Sequence, residues 1–194
     1  MPFKKSLKSL FLGIILFLFV FATPVLAKTV TYFAPQTNLE KIDLQWLQKA
    51  AKTRKLYIAM YSFTDKPLAK EIISLAKSGV EVYIYRDDKQ MNDRTDVTQM
   101  FKGVKNVHIK AKNDAGFWNI MHNKMYIIPH VVYREGSANW SASGEGASCW
   151  HHNCGPAQNQ DNNATLITNA HAIKQATQIF WQMWKRSSNI IVQK

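Results

Sequence analysis

Apolar residues recur along the chain at two spacings, and the switch between them marks the elements. Val30 to Phe33 is a short strand-like run closed by Ala34–Pro35. Leu39, Ile42, Trp46, Leu47 and Ala50 then follow at helical intervals, with Thr37 or Asn38 available to cap the start. Lys55 to Phe63 is dense in apolar and aromatic residues and predicts a strand. Thr64 or Asp65 can cap the next helix, which has Pro67 early, Leu68, Ile72, Ile73, Leu75 and Ala76 on its buried side, and Gly79 as its stop. Val80–Tyr85 and Val104–Ile109 read as further strands, separated by a charged loop and a short helix near Val97–Phe101.

This alternation predicts an α/β fold with parallel pairing in its first half. After Ile109 the pattern changes. Lys124–Ile128 and Val131–Tyr133 predict a hairpin around Pro129–His130, and Ala164–Thr168 predicts a short strand. Asn169 can cap a last helix running to about Lys185, with Ile173, Ala176, Ile179, Phe180, Met183 and Trp184 as its apolar face. Residues 141–163 form a polar stretch without periodicity, the kind of connection that serves as a binding or active-site loop. No internal repeat is present.

The N-terminus follows different rules. Lys4, Lys5 and Lys8 precede an apolar run from Leu10 to Phe21, and small residues follow up to Val25–Leu26–Ala27. This is the pattern of a secretory signal with cleavage expected after Ala27, the alternative being an uncleaved N-terminal anchor. The expected organisation is therefore a signal peptide over 1–27 and a single domain over 28–194, exported to the periplasm or the exterior. The whole chain has 194 residues and a formal net charge of +12, and 28–194 keeps 22 basic against 13 acidic residues. That size and composition exclude a multidomain enzyme, a disordered chain and a disulfide-dense miniprotein. The positive balance favours polyanionic partners, nucleic acid or anionic lipid, without choosing between them.

Cys149 and Cys154 are the two cysteines, and the exported setting permits a disulfide between them. Cys149, His151, His152 and Cys154 are also four potential metal ligands within six residues, although their spacing matches no usual zinc arrangement. Two free thiols complete the alternatives.

Met121–His122–Asn123–Lys124 carries the clearest chemistry. His122 and Lys124 are two positions apart and share one face of a strand. An imidazole can attack phosphorus or donate a proton, while an ammonium beside it neutralises non-bridging oxygens. Twelve positions beyond Lys124, Gly136-Ser137-Ala138-Asn139-Trp140-Ser141 offers a hydroxyl and an amide on one extended face, with Gly136 permitting close backbone approach. Each segment alone reads more readily as surface residues or an ordinary turn.

Together they resemble the signature of the phospholipase D superfamily, and within it the small exported bacterial endonucleases with one motif copy. Ile58-Ala59-Met60-Tyr61-Ser62-Phe63-Thr64 is also typical of that family. The resemblance implies a sandwich with a mixed central sheet flanked by helices. It implies metal-independent phosphodiester hydrolysis, with no cofactor, through a phosphohistidine intermediate. Such chemistry uses two histidines, and a single motif supplies one, so a homodimer is expected to bring two copies of His122 together. Lys124 and Asn139 then bind phosphate, with Ser137 in support.

Two positions depart from the family pattern. Pro129 stands where the motif has an aspartate, which predicts a loosened site. Asn162 stands at or near a family glutamate, leaving Asp161 or, more weakly, Glu145 to orient the histidine. Trp118, Trp140, Lys110 and Lys112 are candidates for a substrate rim, since aromatics among cations suit base stacking and residues 102–134 hold six basic side chains against one acid. The alternatives are a phospholipase D acting on lipid headgroups at a membrane and a weakly active or inactive nucleic-acid-binding member of the fold.

Overall fold

The computed structural model describes residues 27–113, 116, 118–148 and 160–193. Its element order is β1 (Thr29–Ala34), α1 (Leu39–Leu47), α2 (Ala50–Thr53), β2 (Lys55–Met60), α3 (Lys66–Lys77), β3 (Glu81–Asp87), β4 (Val107–Lys112), β5 (Lys124–Ile128), β6 (Val132–Gly136), β7 (Asn162–Ile167), α4 (Ala170–Trp184) and β8 (Ile190–Gln193). The eight strands form one sheet in the order β1-β7-β6-β5-β2-β3-β4-β8. β2, β3 and β4 run parallel to one another, and every other neighbouring pair is antiparallel. This is the mixed sheet between helical layers that the resemblance implied.

Strand position explains strand composition. β5 is buried at every residue and β2 at all but its first, and both read as unbroken apolar runs because helices cover the sheet on both sides. On one face α1, α2 and α3 pack Leu47, Ala50, Leu68, Ile72 and Leu75 against Ile58, Met60, Ile84 and Ile128. On the other, α4 packs Ile173, Phe180, Met183 and Trp184 against Tyr57, Tyr85, Met125 and Ile127. The helix starts are capped by Asn38, Asp65 and Asn169, whose side-chain oxygens accept the N–H of Lys41, Leu68 and Ala172 at 3.0, 2.8 and 3.0 Å. Gly79, at φ +92°, ends α3 in the left-handed conformation that favours glycine.

Several expected strand boundaries shift, and one strand is added. β2 stops at Met60, because residues 61–65 leave the ladder to serve the site described below. β4 begins only at Val107, after Gly103 and Asn106 adopt positive φ. β8 was not anticipated: a four-residue Ile-Ile-Val-Gln segment carries too little pattern to announce a strand, and it forms by pairing with β4. The hairpin of β5 and β6 is present. Ile128 O accepts Val131 N–H at 3.0 Å across Pro129–His130, with His130 at φ +64°. A proline second and a left-handed residue third suit this turn. The apolar run Leu10–Phe21 and the group Cys149, His151, His152 and Cys154 lie outside the described residues. Among the described residues no helix is long and apolar enough to cross a membrane.

Candidate active site

The site is built around the segment that leaves β2. Tyr61 N–H donates to Asn123 O at 2.9 Å, Ser62 N–H to Asn139 Oδ1 at 3.2 Å, and Thr64 and Asp65 N–H to Trp140 O at 2.8 and 3.0 Å. Trp140 N–H returns a bond to Ser62 O at 3.2 Å. Residues 61–65 thus lie between the two motif segments and hold both by main-chain hydrogen bonds. His122 and Tyr61 meet ring to ring at 4.5 Å, and Lys124 Nζ lies 5.0 Å from the Tyr61 ring. His122, Lys124 and Asn139 are brought together here. Ser137, two residues before Asn139, is tied to β7: its hydroxyl donates to Asn162 Oδ1 at 2.9 Å and accepts Asn163 N–H at 3.0 Å. Gly136 makes this approach possible, because a Cβ there would run into the Asn163 carbonyl.

The electrostatics suit phosphate. Burial pushes the Lys124 ammonium down to about 8, although its Nζ donates to His122 O at 2.8 Å. His122 is held below its ordinary value by partial burial and by the Lys124 charge, with the Asp87 carboxylate pulling the other way. An exposed imidazole with a lowered pKa is neutral, and nucleophilic, over more of the physiological range.

Asp87 and Arg86, at the carboxyl end of β3, anchor this end of the sheet. Asp87 Oδ2 accepts Met121 N–H at 2.8 Å, which fixes the residue before His122. Arg86, fully buried, donates from Nε to Met60 O at 2.8 Å and from Nη2 to Tyr61 O at 3.2 Å, and pairs with Asp96. Gln90 Nε2 donates to the Tyr61 hydroxyl at 3.2 Å. A second buried arginine, Arg134 on β6, donates from Nη1 to Lys124 O at 2.9 Å and to Ala138 O at 3.2 Å, so one guanidinium spans both motifs. Its Nη2 lies 3.2 Å from Asp43 Oδ2, which also accepts Trp140 Nε1–H at 2.8 Å. Sequence reasoning missed the roles of Tyr61, Arg86, Asp87 and Asp43, and it counted Arg134 among the basic side chains of a rim, whereas the structure buries it. The available signal was charge at the end of apolar strands, Arg86–Asp87 after Val80–Tyr85 and Arg134 within the hairpin.

Several expected roles change. Trp140 is fully buried, packed on Phe63 at 4.9 Å and bonded to Asp43, so it belongs to the core and not to a rim. Lys110 donates to Trp184 O at 3.0 Å and caps the end of α4. Lys112 donates to Ile120 O at 3.2 Å and braces the approach to His122. Trp118, 87% exposed, is the large aromatic of that approach that faces solvent. Glu145 is no orienter of His122: it is fully buried, and desolvation with Asp43 and Asp65 nearby holds its carboxyl well above the ordinary range. The same burial pushes Asp65 up to about 7. Asp87, held beside the motif by the Met121 N–H, is the carboxylate whose charge favours the protonated form of His122. Asp161 is exposed beside Ser137, and Asn162 takes the place beside the serine. Pro129 stands in the turn at the far end of β5, roughly 20 Å along the strand from His122 at about 3.3 Å per residue. The proline therefore lies in the turn, at the opposite end of β5 from the motif histidine and lysine.

An imidazole, a partly desolvated ammonium and an amide converge at one end of a mixed α/β sheet, an arrangement whose chemistry suits a phosphoryl group. The chain belongs to the phospholipase D superfamily, since the family model for the cardiolipin synthase, PLD-like domain matches residues 44–184. Solved structures agree in fold. NucT from Helicobacter pylori superposes with a TM-score of 0.66 at 21% identity, over 82% of this chain and 96% of that one. Nuc from Salmonella typhimurium, a phospholipase D family member, superposes with a TM-score of 0.66 at 17% identity, over 87% and 99%. Phosphatidylserine synthase from Haemophilus influenzae does so with a TM-score of 0.62 at 14% identity, over 87% of this chain and 41% of that one. No curated protein matches the chain in sequence.

Proposed function

We propose that the protein is a metal-independent endonuclease of low sequence preference, working as a homodimer in which two copies of His122 face one phosphodiester. The convergence of His122, Lys124 and Asn139 on the Tyr61–Ser62 segment carries this reading. One imidazole attacks phosphorus and forms the phosphohistidine. The other protonates the leaving oxygen and then activates water for hydrolysis. Lys124 and Asn139 from both subunits hold the non-bridging oxygens, with charge stabilisation supplied by protein cations. Residues 28–194 carry 22 basic against 13 acidic side chains, and this positive excess supports a long polyanion as substrate, bound more weakly as salt rises. Export, with cleavage after Ala27, completes the proposal and is checked by N-terminal sequencing of mature protein.

The test is cleavage of single- and double-stranded DNA in excess EDTA, beside phosphatidylcholine vesicles, with light scattering on the same sample. DNA cleavage, weak lipid turnover and twice the monomer mass are expected. Activity that needs added magnesium, or full activity from a monomer, would defeat the mechanism. Lipid turnover exceeding DNA cleavage would move the site to headgroup hydrolysis.

The pH profile offers a separate check. Lys124 is cationic below its value of about 8 and neutral above it. The free-enzyme profile, kcat/KM, should therefore fall above pH 8. Arginine stays protonated across this range. Lys124→Arg should lower activity overall and remove the alkaline limb from what remains, whereas an unmoved limb would assign it to another group.

A further inference from the structure

We propose that the hollow between Phe33 and Ser137 is a nucleobase subsite, which seats the base next to the phosphate at the reacting centre; this rests on the nuclease reading. In the β1–β7 ladder Phe33 faces Asn163, and in the β6–β7 ladder Gly136 faces Ala164. Ser137 is the next position, and its N–H donates to Asn163 O at 3.1 Å and to Asn163 Oδ1 at 3.2 Å. Directly opposed residues on antiparallel strands share a face. Phe33, Asn163 and Ser137 thus form one row across β1, β7 and the residue after β6, with the Phe33 and Ser137 backbones roughly 10 Å apart at about 4.8 Å per strand.

The hollow in front of this row is lined by Phe33, Gln36, Ser137, Asp161, Asn162 and Asn163. Phe33 is 59% exposed, whereas the strand aromatics Tyr57, Tyr85 and Tyr126 are buried. Among the described residues no lysine or arginine lines the hollow, which offers little to a phosphate. It offers an apolar ring face, amide donors and acceptors and one carboxylate. That combination suits a planar, uncharged ligand with a hydrogen-bonding edge, which describes a nucleobase stacked on Phe33.

Base stacking on an aromatic is worth about 5- to 150-fold in affinity by alanine substitution. The experiment measures binding of a fluorescein-labelled DNA pentamer and of its abasic counterpart by anisotropy, on His122→Asn protein so that neither strand is cleaved. The base-bearing strand should bind more tightly. Phe33→Ala should narrow that gap by at least about fivefold, leaving the abasic strand's affinity unchanged, and Phe33→Trp should preserve it. A gap that Phe33→Ala leaves intact, equal weakening of both strands, or no binding of either strand would overturn the subsite. Cleavage of the same strands by the unsubstituted protein is scored separately. Cleavage without a Phe33-dependent gap removes the subsite and keeps the nuclease reading, and absence of cleavage removes that reading. Thermal melts should coincide, because the Phe33 ring supports little of the core.

Discussion

His122→Asn is expected to reduce DNA cleavage by at least about four orders of magnitude, because it removes the attacking nitrogen together with the proton carrier. Asparagine is close to histidine in reach, and its amide can still lie against Tyr61, so the fold should melt at an unchanged temperature. Contaminating nucleases would be insensitive to the change, which makes it the control for every other measurement. The substitution also tests the shared site. When intact and His122→Asn subunits are mixed and allowed to exchange, only dimers with two intact copies turn over. Activity should then follow the square of the intact fraction. A linear dependence would mean that each subunit works alone.

Arg134→Met should be the most destabilising of the site substitutions, costing about 3–5 kcal/mol, as expected when one partner of a buried ion pair is removed. The guanidinium is fully buried, and its loss strands the Asp43 carboxylate beside Trp140 while freeing the carbonyls of Lys124 and Ala138. Urea unfolding at pH 7 reads the effect. Arg134→Lys should recover only part of it, since an ammonium cannot bond both carbonyls and pair with Asp43 in the geometry of the planar fork. A loss below about 1 kcal/mol for methionine would mean that the guanidinium contributes no more than a surface ion pair.

Much of this architecture is legible in the sequence, for identifiable reasons. The helices announce themselves because their apolar faces are regular and their caps, Asn38, Asp65 and Asn169, are residue types with one common purpose. The motif letters place the histidine, lysine and asparagine at one end of the sheet because they flank a strand whose direction the apolar run gives away. What the sequence hides is long-range polar contact. Nothing local tells that Arg134 will turn inward and meet Asp43, 91 positions earlier, or that Trp140 will be drawn into the core by the same carboxylate. Exposure is hidden for the same reason: Lys110 and Trp140 look like rim residues in one dimension and are a helix-end cap and a core ring in three. Pro129 misleads in the opposite sense. A signature read as a single string suggests one function for all its letters, yet β5 carries chemistry at its start and a turn at its end.

The segment from Tyr61 to Asp65 grips both motif segments through peptide groups, while the side chains of Ser62 and Thr64 are only half-buried and make none of those bonds. Scaffolding of that kind is indifferent to side-chain identity. Substitution of either side chain therefore leaves in place the peptide hydrogen bonds that hold the two motif segments. For an engineer, Ser62 and Thr64 are places where side chains can be varied while the catalytic constellation stays still.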